Sequence, residues 1–331
     1  MIPDDGTVLI TGANSGLGLE CARAIRRDAP SLSLVLASRD LERTTAAARD
    51  LAGPSSDVPV QARALDLGSL GDVRRFAREM REQISPDRWP PLRALVLNAG
   101  VQVTRKASSA DGYELTFAVN HLGHYLLTLL LLPLFETPGR IVFVSSGTHD
   151  PDERTGMPAP HLRDARSLAH LHETTEESPG AFGRRAYSTS KLCNVLCAYE
   201  LSRRLEATGF STAEAPLTVN AFDPGLMPGT GLARDYPAWQ QVLWNTAFRA
   251  LRILPNVNST EASGDALARL VVDPELRETT RRYFQGRHPK PSSKESYDEE
   301  LARTLWEDSA ELVGLRPEER LPAARDAAAA T

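Results

Sequence analysis

The stretch "TVLITGANSGLGLECARAIRRD", Thr7 to Asp28, decides the fold. Thr7 to Thr11 is a short apolar run that reads as a strand. Gly16 to Asp28 has helical spacing. Between them lies a turn holding Gly12, Gly16 and Gly18. Glycine permits positive φ and lets backbone approach a ligand closely. A helix that starts directly afterwards offers free N–H groups and the positive end of its dipole to a pyrophosphate. The glycine spacing is Gly-x-x-x-Gly-x-Gly, not Gly-x-Gly-x-x-Gly. The turn residues Gly12, Asn14, Ser15, Gly16, Leu17 and Gly18 are therefore candidate dinucleotide-binding groups.

Outward from this turn the same alternation continues. "SLVLAS" (33–38), "VQARALDL" (60–67), "LRALVLNAG" (92–100), "GRIVFVSS" (139–146) and "LTVNAF" (217–222) read as further strands. Helices fall between them at "LERTTAAARDLA", "LGDVRRFAREMREQI", a long segment from Tyr113 to Phe135, and the segment after Arg185. Continuous Val/Ile/Leu strands, each followed by a helix, indicate a parallel sheet buried on both faces. Right-handed crossovers then give an α/β, single-domain, Rossmann-type doubly wound parallel sheet with helices on both faces. The expected domain spans 1–315. Residues 147–184, rich in Pro, Gly, His and charge, read as an inserted surface loop with one short helix near "LRDARSLAHLHE". Residues 226–256 form a substrate-side segment. Its apolar helix, 239–254, is either a lid or a helix packed on the core. "EASGDALARLVVDP" is another helix, and 316–331 reads as a disordered tail.

Composition excludes several classes. The chain has 331 residues, 41% of them hydrophobic, and a net charge of -5. That balance gives no electrostatic footprint for nucleic acid or an anionic membrane. Three cysteines, Cys21, Cys193 and Cys197, form no disulfide framework and fit a cytoplasmic location. "MIPDDGTVLI" reads as neither a signal peptide nor a membrane anchor. "LLTLLLLPLF" is short for a bilayer span and reads as a buried helix. His161, His170 and His172 lack metal-site spacing, so no metal is expected.

Two local patterns carry chemistry. "AYSTSKLCNV" (186–195) places Tyr187 and Lys191 one helical turn apart on one face. A cation beside a phenol favours the phenolate and tunes the group toward neutral pH. At the end of the second strand, "ASRDLER" offers Ser38 and Arg39 where an acid would suit the ribose 2′-hydroxyl of NAD. An arginine and a hydroxyl suit a 2′-phosphate, which points to NADP (NADPH).

The motifs "TGANSGLG", "LDL", "NAG", "VNHLGH", "VSS", "YSTSK" and "DPG", in this order, resemble the short-chain dehydrogenase/reductase family. The resemblance implies Tyr187 as proton donor and Lys191 as its tuning cation and nicotinamide-ribose ligand. It implies Ser146 as the substrate-oxygen ligand and Asn120 as holder of a water. It places Asp66 and Leu67 at the adenine and Asn98, Ala99 and Gly100 beneath the cofactor. Pro224, Gly225 and Thr230 complete the expected cofactor set. "TGLARDY" (230–236), the insert and "ARTLWEDSAELVGL" resemble the protochlorophyllide reductase and retinol dehydrogenase-like branch. Leu226 stands where the pigment reductases carry a cysteine.

The expected function is NADPH-dependent reduction of a carbonyl on a bulky apolar substrate, or the reverse oxidation. The alternatives are a protochlorophyllide-type C=C reductase and, from another class, a non-catalytic NADP-sensing regulator. The expected partner is a small apolar molecule. Monomer and homodimer both remain open.

Overall fold

The computed structural model describes residues 5–53, 58–85, 88–171, 176–227 and 258–321. Eight strands form one sheet in the order β3-β2-β1-β4-β5-β6-β7-β8. They are β1 (Thr7–Thr11), β2 (Ser33–Ser38), β3 (Val60–Ala64), β4 (Leu92–Leu97), β5 (Phe135–Val144), β6 (Leu217–Asp223), β7 (Tyr283–Gln285) and β8 (His288–Lys290). Every pairing is parallel except β7 with β8. This is the expected doubly wound sheet, with an antiparallel edge added.

The period-two alternation of strands sorts their residues between two cores. Leu9, Val35, Leu95, Leu97, Ile141, Phe143 and Val219 face one side. There they meet α3 (Leu70–Gln83), α4 (Gly123–Leu131), α6 (Pro179–Ala207) and α8 (Glu299–Leu312). Val8, Ile10, Leu34, Leu36, Val96, Val142 and Phe222 face the other. There they meet α1 (Gly16–Asp28), α2 (Leu41–Ala52) and α7 (Thr260–Val272). Among the described residues a short helix, α5 (Ala165–Ala169), lies in the insert.

Several elements differ from the sequence expectation. The long helix is present as one unbroken helical run, Leu115–Leu134, but it changes form along its length. One α-turn, Leu115–Phe117, is capped by the buried Glu114, whose carboxylate accepts from the Thr116 and Phe117 N–H groups. A π-helical turn, Ala118–Leu122, follows, then α4, and β5 already begins at Phe135. Segment Leu115–Leu134 is apolar enough to span a bilayer, yet 94% of it is buried inside the protein, as a core helix is.

The insert carries a short helix where the sequence reading placed one, and it also packs inward. Leu162, Ala165, Leu168 and Ala169 pack into the first core, His161 N–H donates to Thr189 Oγ1, and α6 already starts at Pro179. Residues 316–321 are also held rather than loose. Glu319, 9% exposed, receives Arg74 Nε and Nη2 at 2.8 and 2.9 Å, and Leu321 packs against the core. Apart from Leu226 and Met227, the 226–256 segment lies outside the described residues, as do Thr230, His172 and the tail from 322.

Candidate active site

At the C-terminal edge of the sheet, β1 and β4 sit side by side while their following helices go to opposite faces. Such a switch point is where doubly wound sheets bind ligands. A cleft of about 980 Å³ opens there. It is lined by the first turn (Gly12, Asn14, Ser15, Gly16, Leu17), by Ser38 and Arg39 after β2, and by Asp66 and Leu67 after β3. Asn98, Ala99 and Gly100 after β4, Tyr187 and Lys191 of α6, and Pro224 after β6 complete it. Gly18 and Gly225 stand behind the lining. Gly225 takes φ +75° and its N–H donates to Asp223 Oδ1 at 2.9 Å.

The first turn is built for backbone approach. Gly12 and Gly16 have φ of +67° and +58°. A Cβ on Gly12 would lie 2.9 Å from Ala99 Cα, and one on Gly18 would lie 2.6 Å from Asn98 Nδ2. Ser15 precedes α1 without a side-chain cap, so no side chain claims the first N–H groups of the helix. Those groups fit the pyrophosphate of a dinucleotide. Asn98 holds the floor by donating from Nδ2 to Thr11 O at 2.8 Å and to Gly12 O at 3.2 Å. Asp66 shapes its own turn, Oδ1 accepting the Gly68 N–H at 2.9 Å.

One expected contact group is engaged within the fold. The Ser38 hydroxyl is committed inside the fold, sharing a 2.7 Å hydrogen bond with Thr44 Oγ1 and donating to Asp40 O. Ser38 nevertheless lines the cleft. A residue that sequence reading missed stands there too. Arg43, in the first turn of α2, lines the cleft with Arg39, and both side chains are exposed. No periodic signal marked it in the sequence, because Arg39 precedes the N-cap Asp40 and only Arg43 lies in the helix.

Around the Tyr187–Lys191 pair the fold is dense. Tyr187 is 6% exposed, and Lys191 Nζ lies 5.4 Å from its ring centroid. Nζ donates to Val144 O at 3.1 Å. A Cβ at Gly100 would stand 3.5 Å from Nζ and 3.4 Å from Asn120 Oδ1, in ordinary contact with both, so this residue passes directly beside the two polar groups. Burial pushes the Lys191 ammonium down to about 8, with the Asp223 carboxylate opposing that shift. The lysine therefore releases its proton far more readily than a solvated one.

Asn120 sits within the π-turn, fully buried. Its amide closes a two-way clamp on Val101, accepting from N–H at 2.8 Å and donating to O at 3.0 Å. Nδ2 also donates to Ser190 Oγ, which donates to Tyr187 O at 2.7 Å. The side chain is thus spent on positioning. The Asn120 carbonyl accepts from His124 Nδ1 at 3.1 Å. A carbonyl only accepts, so Nδ1 carries the proton and Nε2 accepts from Thr11 Oγ1 at 3.0 Å. Thr11 Oγ1 in turn takes the N–H groups of Asn98 and Ala99. Burial pushes His124 down to about 3, the Asn120 bond opposing and Lys191 adding, so it stays neutral.

The two serines divide their work. Ser145 Oγ donates to Lys191 O at 2.8 Å, which fixes β5 to α6. Ser146 Oγ only accepts, from Thr148 N–H at 3.3 Å, so its proton has no acceptor among the described residues. Ser146 does not line the described cleft wall, where Ser145 stands instead. Its backbone is fixed by another residue missed in sequence. His149 Nδ1 donates to Ser146 O at 2.7 Å while Nε2 accepts the Ser293 N–H at 3.0 Å.

Comparison with known proteins agrees with this geometry. The short chain dehydrogenase profile matches residues 6–154, and the AcuH dehydrogenase domain profile matches 248–321. Human retinol dehydrogenase 13 is 36% identical over 93% of this chain and 85% of its own length. Pea chloroplastic protochlorophyllide reductase is 34% identical over 94% and 78%. A crystal structure of an uncharacterised protein from Mycobacterium paratuberculosis aligns at TM-score 0.66 and 31% identity, covering 93% of each chain. With a relative this similar across almost its whole length, and with the glycine turn and the Tyr187–Lys191 pair in one cleft, the chain belongs to the short-chain dehydrogenase/reductase family of oxidoreductases.

Proposed function

We propose that the protein is an NADPH-dependent reductase of a carbonyl group on a bulky apolar molecule, or the corresponding alcohol dehydrogenase in reverse. The observation that carries this is the meeting, in one cleft, of Arg39 and Arg43 at one end and Tyr187 and Lys191 at the other. Both arginines would hold a 2′-phosphate by charge-assisted hydrogen bonds. The α1 N-terminus would take the pyrophosphate, and Lys191 the nicotinamide ribose. The bound cofactor supplies the hydride. Tyr187 gives the proton to the substrate oxygen, Lys191 stabilising the phenolate left behind. The Ser146 proton, unclaimed and one residue from Ser145 of the cleft wall, would serve as a second donor once its side chain turns to that oxygen. The described rim beyond Gly225 is apolar, Leu226 being 38% exposed and Met227 lining the cleft.

Leu226 also weighs against pigment C=C reduction, which adds a proton to carbon and needs a second donor. A leucine has none to give. The test is an NADPH-oxidation screen over aromatic, polycyclic and aliphatic ketones, with protochlorophyllide in darkness and in light. Ketone turnover indifferent to light is expected. Light-dependent loss of the pigment's double bond without ketone turnover would overturn the proposal. NADPH binding without turnover of any substrate would favour a non-catalytic sensor.

A further inference from the structure

A second cavity, of about 330 Å³, lies at the opposite, N-terminal edge of the sheet. The starts of β1, β4 and β5 and the end of α7 enclose it. Val8, Leu32, Ala94 and Val271 give it an apolar floor. Three guanidinium groups line it: Arg93, Arg140 and Arg277. Asp28 is the one carboxylate in the lining, and Arg27 grips both its oxygens, at 2.7 and 2.8 Å.

Two of the three arginines are short of acceptors. Arg93 is 8% exposed; Nη2 meets Glu136 at 2.7 Å, but Nη1 is buried without a partner. Arg277 Nε is also buried without a partner, and its Nη2 has only a 3.5 Å contact with Glu214 O. Arg140 donates to the carbonyls of Leu270 and Asp273. Among the described residues neither Arg140 nor Arg277 has a carboxylate ion pair. Burial pushes Arg140 down to about 10, with Asp273 opposing, as befits an under-neutralised buried cation. Natural interiors pair such charges, because a buried donor left unmade carries its whole desolvation cost.

We propose that this cavity is a binding site, separate from the dinucleotide cleft, for a small oxyanion on a compact apolar body. The guanidinium fork matches the planar carboxylate and the phosphate edge alike, and the apolar floor takes the body. The volume lies at the lower end of small-ligand sites. The occupant ties the roots of β4 and β5, whose far ends carry Asn98–Gly100 and Ser145–Ser146.

The test titrates benzoate and phenyl phosphate by calorimetry. Because Arg39 and Arg43 also attract anions, each titration is run on protein saturated with NADP and on the Arg39→Ala/Arg43→Ala variant. One saturable site per chain is expected in both backgrounds, and the tighter probe identifies the anion as carboxylate or phosphate ester. Arg277→Gln, at a half-buried position, should weaken it at least about tenfold, which is ~1.4 kcal/mol. Crystals soaked in 4-bromobenzoate should place the bromine inside this cavity, toward Val8, Leu32, Ala94 and Val271, with the carboxylate at the arginines. Absence of saturable binding in both backgrounds, binding untouched by Arg277→Gln, or bromine only in the large cleft would overturn the proposal.

Discussion

Lys191 Nζ stands 5.4 Å from the centre of the Tyr187 ring and is anchored to Val144 O at 3.1 Å. The ammonium is thus fixed beside the phenol by β5 itself. Tyr187→Phe keeps the packed ring and removes the proton. A general acid of this kind contributes roughly 10²–10⁴-fold, so turnover should fall by about that factor while NADPH fluorescence titration shows unchanged binding. Lys191→Ala should weaken both. A Tyr187→Phe protein with near-normal ketone turnover would remove the tyrosine from the chemistry.

The buried lysine also sets a pH dependence. Its folded value is about 8 against 10.5 when solvated. Between those values the unfolded chain holds a proton that the folded chain has released, so this group makes stability rise with pH across that window. Below about 8 the folded state carries the full cost of the buried charge. Urea midpoints across this window should show that slope, and Lys191→Met should flatten it. Activity should run the other way in the unliganded protein: kcat/KM declines as pH rises through about 8, because the charge that tunes Tyr187 is lost.

Cofactor choice should rest on two arginines rather than one. A hydrogen bond to a charged group contributes about 1.5–3 kcal/mol, or roughly one to two decades. Arg39→Ala and Arg43→Ala should each reduce the NADPH/NADH preference by part of that range, and the double variant should nearly abolish it. Kd values for both nucleotides measure this. An Arg43→Ala protein with an unaltered ratio would leave Arg39 alone.

Close packing under the first turn predicts a contrast between two glycines. In Gly18→Ala the new methyl would meet Asn98 Nδ2 at 2.6 Å and Gly12 O at 2.7 Å. The Asn98 clamp must open, at a cost of about 1–3 kcal/mol for the acceptors it deserts, and dinucleotide binding should go with it. Gly71 in α3 has its nearest neighbour at 3.8 Å. Gly71→Ala should stabilise by about 0.4–1 kcal/mol, through the lost freedom of the unfolded chain. Denaturant midpoints separate the two.

The parallel core of this fold was legible because β1, β2, β4 and β6 are buried throughout and are largely apolar. α1 and α2 read correctly to the residue, since their ends carry glycine, Asp40 and a charge-rich outer face. β7 and β8 escaped because "YFQ" and "HPK" are three residues long, too short for any period to show. The π-turn escaped for a different reason: "AVNHL" is as helical in composition as its neighbours, and only the backbone shows the extra residue per turn. In the site, residue types were visible but the commitment of each polar atom was not. Ser38 and Ser145 look like free hydroxyls in sequence and are spent on Thr44 and on Lys191 O. His149 and Arg43 gain meaning only once their partners are placed.

The clasp between Arg74 and Glu319 carries a consequence for the order in which the chain is made. At roughly 5–20 residues per second, a ribosome that has placed Arg74 needs on the order of tens of seconds to deliver its carboxylate. Trp306, which meets Tyr125 edge-on at 4.8 Å, comes almost as late. Strands β1 to β6 and helices α3, α4 and α6 come first, and the part of the face they form under α8 waits for it. Nascent chains halted before Glu299 should therefore expose Leu126, Tyr125 and the inner side of α6, a greasy surface that only the last stretch of polypeptide can cover.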